Sequence, residues 1–125
     1  MANDKKLVAT VSSTLERLIE NFGGEYVIRQ AAEECMELGQ ALLKYIRVMN
    51  GEITPVTPAE ALDHVAEEIG DVTLMNSMVV DLLAINAEEY MSTINRKVKR
   101  ANERLDAIAN ESGGDGVQSN HEKED

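Results

Sequence analysis

Apolar residues recur every three or four positions along most of this chain, a spacing that predicts α-helices rather than strands. Aromatic residues make up 3% of the sequence and tryptophan is absent, so the core must be built from aliphatic side chains, which suits packed helices. Short connections between the periodic segments favour antiparallel neighbours. We therefore predict an all-α fold, an antiparallel four-helix bundle, with helices over about residues 5–22, 25–50, 57–83 and 86–109.

Turn and capping signals separate the predicted helices. The first ends before Gly23, since glycine is common just after a helix C-terminus. Thr57 is placed to cap the third helix, with Pro58 in its first turn and a glutamate three residues after Thr57 completing a capping box. Beyond residue 109 the apolar pattern stops, so we predict one domain over 1–109 and a disordered acidic tail over 110–125.

The charge of the chain limits its partners. A net charge of −11 repels nucleic-acid polymers and anionic membranes, whereas a nucleotide remains possible if a divalent metal bridges its phosphates. No segment has the apolar length of a membrane helix, and the polar N-terminus lacks the features of a signal peptide. The single cysteine, Cys35, shares the predicted apolar stripe of the second helix with Leu42 and Ile46, so we expect it to be buried. We expect a cytoplasmic protein.

Two pairs of acids carry the functional signal. Glu34 and Glu37 are three residues apart on the second helix, and Glu68 and Asp71 are three apart on the third, so each pair shares one side of its helix. Both pairs lie roughly 17–20 Å from the turn between the helices, at about 1.5 Å per residue. In an antiparallel hairpin the four carboxylates would face one another and favour Mg²⁺, with Mn²⁺ as a substitute.

Other interpretations of these residues stay open. Acidic residues number 23 of 125, so a single pair of this kind is most often a solvated face. A di-iron bundle site expects a histidine three residues after a glutamate, and neither histidine is so placed. His64 is interpreted as an ordinary, partly exposed helix residue. Gly39 and Gly70, beside the two pairs, suggest either close helix approach or room for a ligand, because glycine within a helix is unfavourable.

Basic residues gather on the fourth helix. Lys97, Arg100 and Arg104 share one side of it and would suit phosphate oxygens, although a solvated face that pairs with acids is the alternative. Lys44 and Arg47, near the end of the second helix, would also suit phosphate, or would simply interact favourably with the helix dipole.

The two acidic stretches, Ala32-Glu33-Glu34-Cys35-Met36-Glu37-Leu38 and Glu67-Glu68-Ile69-Gly70-Asp71, resemble the pattern E-E-x-x-E, spacer, E-x-x-D of the MazG-like all-α nucleoside triphosphate pyrophosphohydrolases. The resemblance extends from about Gly24 to Leu105. It implies a dimer or tetramer in which the acids of the motif, Glu34, Glu37, Glu68 and Asp71, bind Mg²⁺. It also implies that the basic last helix contacts phosphate through Lys97, Arg100 and Asn102. From the chemistry of hydrolysis we expect a free carboxylate, Glu37 or Glu33, to act as the base, and we predict Lys44 as a further substrate contact.

The expected reaction is the hydrolysis of a nucleoside or deoxynucleoside triphosphate to a monophosphate and pyrophosphate. Two alternatives remain at this point. The similar all-α phosphoribosyl-ATP pyrophosphohydrolases act on a different substrate, and a non-catalytic helical interaction module would carry the same acids as surface charge.

Overall fold

The computed structural model describes residues 2–121, with side-chain surroundings for 2–113. Within this range every regular element is a helix, which confirms the predicted all-α class with four helices. None of these helices is long and apolar enough to cross a membrane. In chain order the helices are α1 (Ala2–Phe22), α2 (Gly24–Met49), α3 (Pro58–Leu82) and α4 (Ala87–His121).

The first compact unit, Met1–Ala84, contains α1, α2 and α3. α2 and α3 form an antiparallel hairpin with the most extensive helix–helix contact of the unit, and α1 packs against both. Alanine occupies three of the buried positions of the hairpin: Ala31 and Ala41 on α2, and Ala61 on α3. Small side chains at these positions allow the two helices to lie close together, which fixes the relative height of the acids they carry.

A small apolar core joins α1 to this hairpin. Leu15, Val27 and Met78 are its buried residues, one from each helix, and Val27 is fully buried. Burying a side chain of this size stabilises a fold by about 1.5–3 kcal/mol. The core therefore anchors α1 to the ends of α2 and α3 that are remote from the loop joining them.

The predicted capping box of α3 is present. The backbone N–H of Glu60 donates to Oγ1 of Thr57 at 3.2 Å, and the backbone N–H of Thr57 donates to Oε2 of Glu60 at 3.0 Å. Pro58 occupies the first turn, as predicted. The turn between α1 and α2 depends on Gly23, whose φ of +88° is readily adopted by glycine alone.

Part of the predicted apolar stripe of α2 is wrong. Val27 and Ala31, which the predicted stripe included, are buried. Cys35, Leu42 and Ile46 of that stripe are exposed, and further along α2 the buried positions are instead Ala41 and Val48. The face of α2 that packs in the hairpin is therefore rotated from the face that carries the largest apolar side chains, because alanines make the close contact with α3.

The second unit, Ile85–Asp125, contains α4. Oδ1 of Asn86 accepts hydrogen bonds from the backbone N–H groups of Glu88 at 2.8 Å and Glu89 at 3.4 Å, and so caps the first turn of α4. α4 does not end near Ala109 as predicted but continues to His121, so residues 110–121 of the predicted tail are helical. Extending an existing helix adds one backbone hydrogen bond per residue and needs no apolar face. Residues 122–125 lie outside the described part of the chain.

Candidate metal centre

Three carboxylates converge between α2 and α3. Glu34 and Glu37 lie one turn apart on α2, and Glu68 reaches them from α3. One oxygen from each of the three lies within 4.8 Å of the other two. The hairpin thus places acids of the two predicted pairs at one level, as their matched distances from the turn predicted.

Two of these carboxylates have buried oxygens without a partner. The side chain of Glu68 is buried, with the whole residue 7% exposed. Oε2 of Glu68 and Oε2 of Glu34 accept no hydrogen bond from any described residue. A buried, unpartnered carboxylate oxygen is costly, since it has lost its water and gained nothing in return. A cation with a preference for oxygen ligands would satisfy both atoms, and Mg²⁺ or Mn²⁺ fits this donor set.

Burial and the neighbouring negative charges favour the protonated, neutral form of Glu34. The pKa of Glu34 is raised above its ordinary value of 4.5, first by burial and next by the charge and proximity of Glu37. The charges of Asp71 and Glu68 raise it further. The cluster therefore resists holding its full negative charge without a cation.

Two predicted residues lie outside the group of three. Asp71 is half-buried on α3, and its charge acts on Glu34, but its oxygens are not among those that converge. Glu33 is exposed and accepts a hydrogen bond from Nε2 of Gln30 at 3.3 Å. Its predicted role as a base is thus not supported by a place in the cluster, whereas Glu37 is both in the cluster and exposed to solvent.

A cleft of about 540 Å³ opens beside the carboxylates. Glu37 and Glu68 contribute to its wall, and Lys44, predicted to contact substrate, lies in the same wall. The remaining polar groups are Gln40, Arg47 and His64. The cleft therefore combines a place for a cation with positive side chains that suit an anion.

From the sequence alone, His64 was predicted to have no role in the site. It is exposed, as predicted, but its Nε2 lies 3.2 Å from Oε1 of Glu68 and it lines the cleft. The signal was its spacing of four residues from Glu68, which places the two side chains on one side of α3.

The predicted phosphate contacts of α4 belong to the second unit. Lys97 and Arg100 line a shallow cleft of about 290 Å³ on that helix, together with Arg104. Asn102 is exposed and is not part of that wall. The structure therefore brings together two of the three predicted residues on α4.

The glycines beside the acids are not explained by close packing. A Cβ atom added to Gly39 or Gly70 would meet nothing within 4 Å. The prediction that the helices approach closely at these positions is wrong, because the close contacts fall at alanines elsewhere in the hairpin. Room for a ligand remains as the other interpretation.

Comparison with known proteins adds no identification. No family model, no curated protein and no solved structure matches this chain.

Proposed function

We propose that this protein hydrolyses a nucleoside or deoxynucleoside triphosphate to the monophosphate and pyrophosphate, using Mg²⁺. The observation that carries the proposal is the pair of buried, unpartnered carboxylate oxygens of Glu34 on α2 and Glu68 on α3. Both carboxylates converge with that of Glu37, and Glu37 and Glu68 line a cleft. The resemblance of the two acidic stretches to the MazG-like pyrophosphohydrolases supports the same reaction. Asp71 is included as a fourth acid whose charge acts on the cluster.

Bound Mg²⁺ would neutralise phosphate charge and lower the pKa of a water. The side chains of the chain supply the remaining functions. Glu37, the exposed acid of the cluster, takes the proton of the attacking water. The water oxygen bonds to the α-phosphorus, the bond from that phosphorus to the oxygen bridging the β-phosphate breaks, and its electron pair leaves with pyrophosphate. Lys44 stabilises the charge that develops on the leaving phosphates.

The experiment is a product assay. The purified chain is incubated with each common NTP and dNTP, with Mg²⁺ or with EDTA, and monophosphate, pyrophosphate and orthophosphate are quantified. Monophosphate and pyrophosphate that appear only with metal support the proposal. Absence of turnover, together with no Mg²⁺-induced rise in melting temperature, would contradict it. Phosphoribosyl-ATP is included as a substrate to test the related alternative.

We also propose that the active form is a homodimer or homotetramer. Leu42, Ile46 and Met49 on α2, and Leu62 and Ile69 on α3, are large apolar residues that are exposed in a single chain. Several large apolar side chains exposed on the same pair of helices are typical of an interface. Light scattering coupled to size exclusion measures the mass, and Ile46→Glu is expected to yield monomer. A monomeric wild type would contradict the proposal.

The same apolar surface favours the second candidate, a non-catalytic helical interaction module. That candidate predicts a folded oligomer whose melting temperature does not depend on Mg²⁺. It does not account for the buried carboxylate oxygens, so we rank it below the hydrolase. Because the expected substrate is a nucleotide and the single cysteine is exposed and unpaired, we propose a reducing cytoplasm as the location.

A further inference from the structure

We infer that the cleft beside the acids is a pyrophosphate site, in which Lys44 and Arg47 hold the two phosphates that leave. The inference rests on the proposed function and deepens it, since it assigns a direction to the substrate. The α-phosphate lies at the carboxylates, and the β- and γ-phosphates extend along α2 toward its C-terminus. Nothing in the sequence motif specifies this direction.

The side chains that α2 contributes to the cleft change from negative to positive charge along one side of the helix. Glu37, Gln40, Lys44 and Arg47 are spaced by three, four and three residues, which keeps them in one row. At about 1.5 Å per residue, Lys44 is roughly 10 Å and Arg47 roughly 15 Å from Glu37 along the axis. Side chains of a helix lean toward its N-terminus, and lysine and arginine have longer side chains than glutamate, so this geometry allows both cations to reach toward the acids. A chain of phosphates held at the acidic end would meet the cations next.

Both cations are available to an anion. Lys44 makes no ion pair with any described residue, and Arg47 is 4.0 Å from Glu52 with both side chains about half exposed. An exposed pair at that distance contributes little. By contrast, Arg29 on the same helix is held at 2.7 Å by Glu25. The guanidinium of Arg47 can therefore bind phosphate through two parallel hydrogen bonds.

The wall of the cleft indicates what part of the nucleotide it recognises. No Phe, Tyr or Trp side chain lines it within the described chain, and its polar groups are two carboxylates, two cationic side chains, the amide of Gln40 and the imidazole of His64. Such a wall suits phosphate better than it suits a base. We therefore expect pyrophosphate to compete with the substrate, and nucleoside diphosphates to bind more weakly than triphosphates.

The test measures binding of inorganic pyrophosphate by calorimetry, in the presence of Mg²⁺, to the full chain. The variants are Lys44→Ala, Arg47→Ala and Arg47→Lys, and Arg29→Ala is the matched control that removes a cation of α2 outside the cleft. We expect Lys44→Ala and Arg47→Ala each to weaken binding about tenfold, since each removes charge-assisted hydrogen bonds. Arg47→Lys should restore part of the loss, and Arg29→Ala should match wild type. Melting curves establish that each variant is folded.

Each outcome separates this inference from the proposed function. Pyrophosphate binding that is unaffected by Lys44→Ala and Arg47→Ala overturns the inference, even if the wild type hydrolyses triphosphates. Absence of pyrophosphate binding to the wild type also overturns it, and the product assay then decides the function alone. Binding that depends on Arg47, in a protein that hydrolyses no nucleotide, supports the pyrophosphate site and contradicts the hydrolase.

Discussion

Nε2 of His64 lies 3.2 Å from Oε1 of Glu68, one helical turn further along α3. The contact engages one oxygen of the most buried acid of the candidate metal centre and leaves the other, Oε2, without a partner. His64 is half exposed and Glu68 is buried, and both residues line the cleft. We interpret His64 as a positioning residue for the Glu68 carboxylate.

The first prediction concerns this contact. His64→Ala is expected to weaken Mg²⁺ binding about tenfold, because residues that contact a metal ligand and fix its orientation have effects of that order. The free energy of unfolding of the metal-free protein should change by less than about 0.5 kcal/mol, since the pair is partly exposed. Calorimetric titration with Mg²⁺ measures the first quantity and urea denaturation the second. His64→Gln, which keeps a donor, is the control, and an unchanged Mg²⁺ affinity in His64→Ala would exclude the positioning role.

The second prediction concerns the charge of Glu68. Glu68→Gln keeps the shape of the side chain and removes a buried negative charge that faces Glu34 and Glu37. The metal-free variant should melt at a higher temperature than wild type, because the repulsion within the cluster is reduced. Its hydrolytic activity should fall about a hundredfold or more, since a metal ion contributes several kcal/mol and each 1.36 kcal/mol is about tenfold in rate.

The opposite signs of these two effects make the measurement decisive. Glu67→Gln is the matched control, an exposed glutamate next to Glu68 that is not among the converging acids. It should alter neither the melting temperature nor the activity appreciably. A Glu68→Gln variant that is less stable than wild type without metal would contradict the repulsion that we assign to the three carboxylates.

The third prediction is a dependence of stability on pH. The pKa of Glu34 is raised in the folded chain, so the unfolded state loses this proton first, near its ordinary value of 4.5. The contribution of Glu34 to the free energy of unfolding is therefore fully present below that pH and is lost as pH rises through the raised pKa. We expect the metal-free protein to lose melting temperature over this range relative to Glu34→Gln, which lacks the titrating group.

Bound Mg²⁺ should reverse the loss of melting temperature that we expect with rising pH. Mg²⁺ requires the ionised carboxylate, so the rise in melting temperature at a fixed Mg²⁺ concentration should be larger at neutral pH than at pH 5. The comparison uses wild type and Glu34→Gln with Mg²⁺ and with EDTA, and Glu33→Gln serves as the control on the same helix. Parallel melting curves for wild type and Glu34→Gln across pH would count against a raised pKa.

The sequence predicted the hairpin of α2 and α3, but it did not predict which face of α2 packs against α3. Two predictions that depend on one helix at a time are confirmed. They are the capping box at Thr57 and the positions of the acids along their helices, which bring together Glu34, Glu37 and Glu68. Which face of α2 is buried depends on α3, and the contact is made by alanines, which carry little hydrophobic signal. The large residues Leu42 and Ile46 therefore pointed to the wrong stripe.

The candidate site shows the same limit. Spacing along one helix predicted the paired acids, but it did not separate Asp71 from the converging carboxylates, because convergence also depends on how α3 packs against α2. Spacing along the helices also gave no reason to prefer Arg47 or His64 as site residues. Their proposed roles follow from the cleft, which they line together with Glu37. The end of α4 was missed for another reason, since helix continuation to His121 leaves no apolar pattern to detect.

The last prediction tests whether a ligand uses the open space at Gly39. A Cβ at Gly39 would meet nothing within 4 Å, so Gly39→Ala should raise the free energy of unfolding by about 0.8–1 kcal/mol through helix propensity alone. Gly39 does not line the cleft beside the acids, so we expect pyrophosphate binding and turnover to stay at the wild-type level. Gly70→Ala, which has the same open surroundings on α3, is the matched variant. Urea denaturation and the product assay measure both effects. A more stable Gly39→Ala protein that has lost turnover would show that a ligand occupies the space above this glycine, and would extend the site along α2 beyond the cleft.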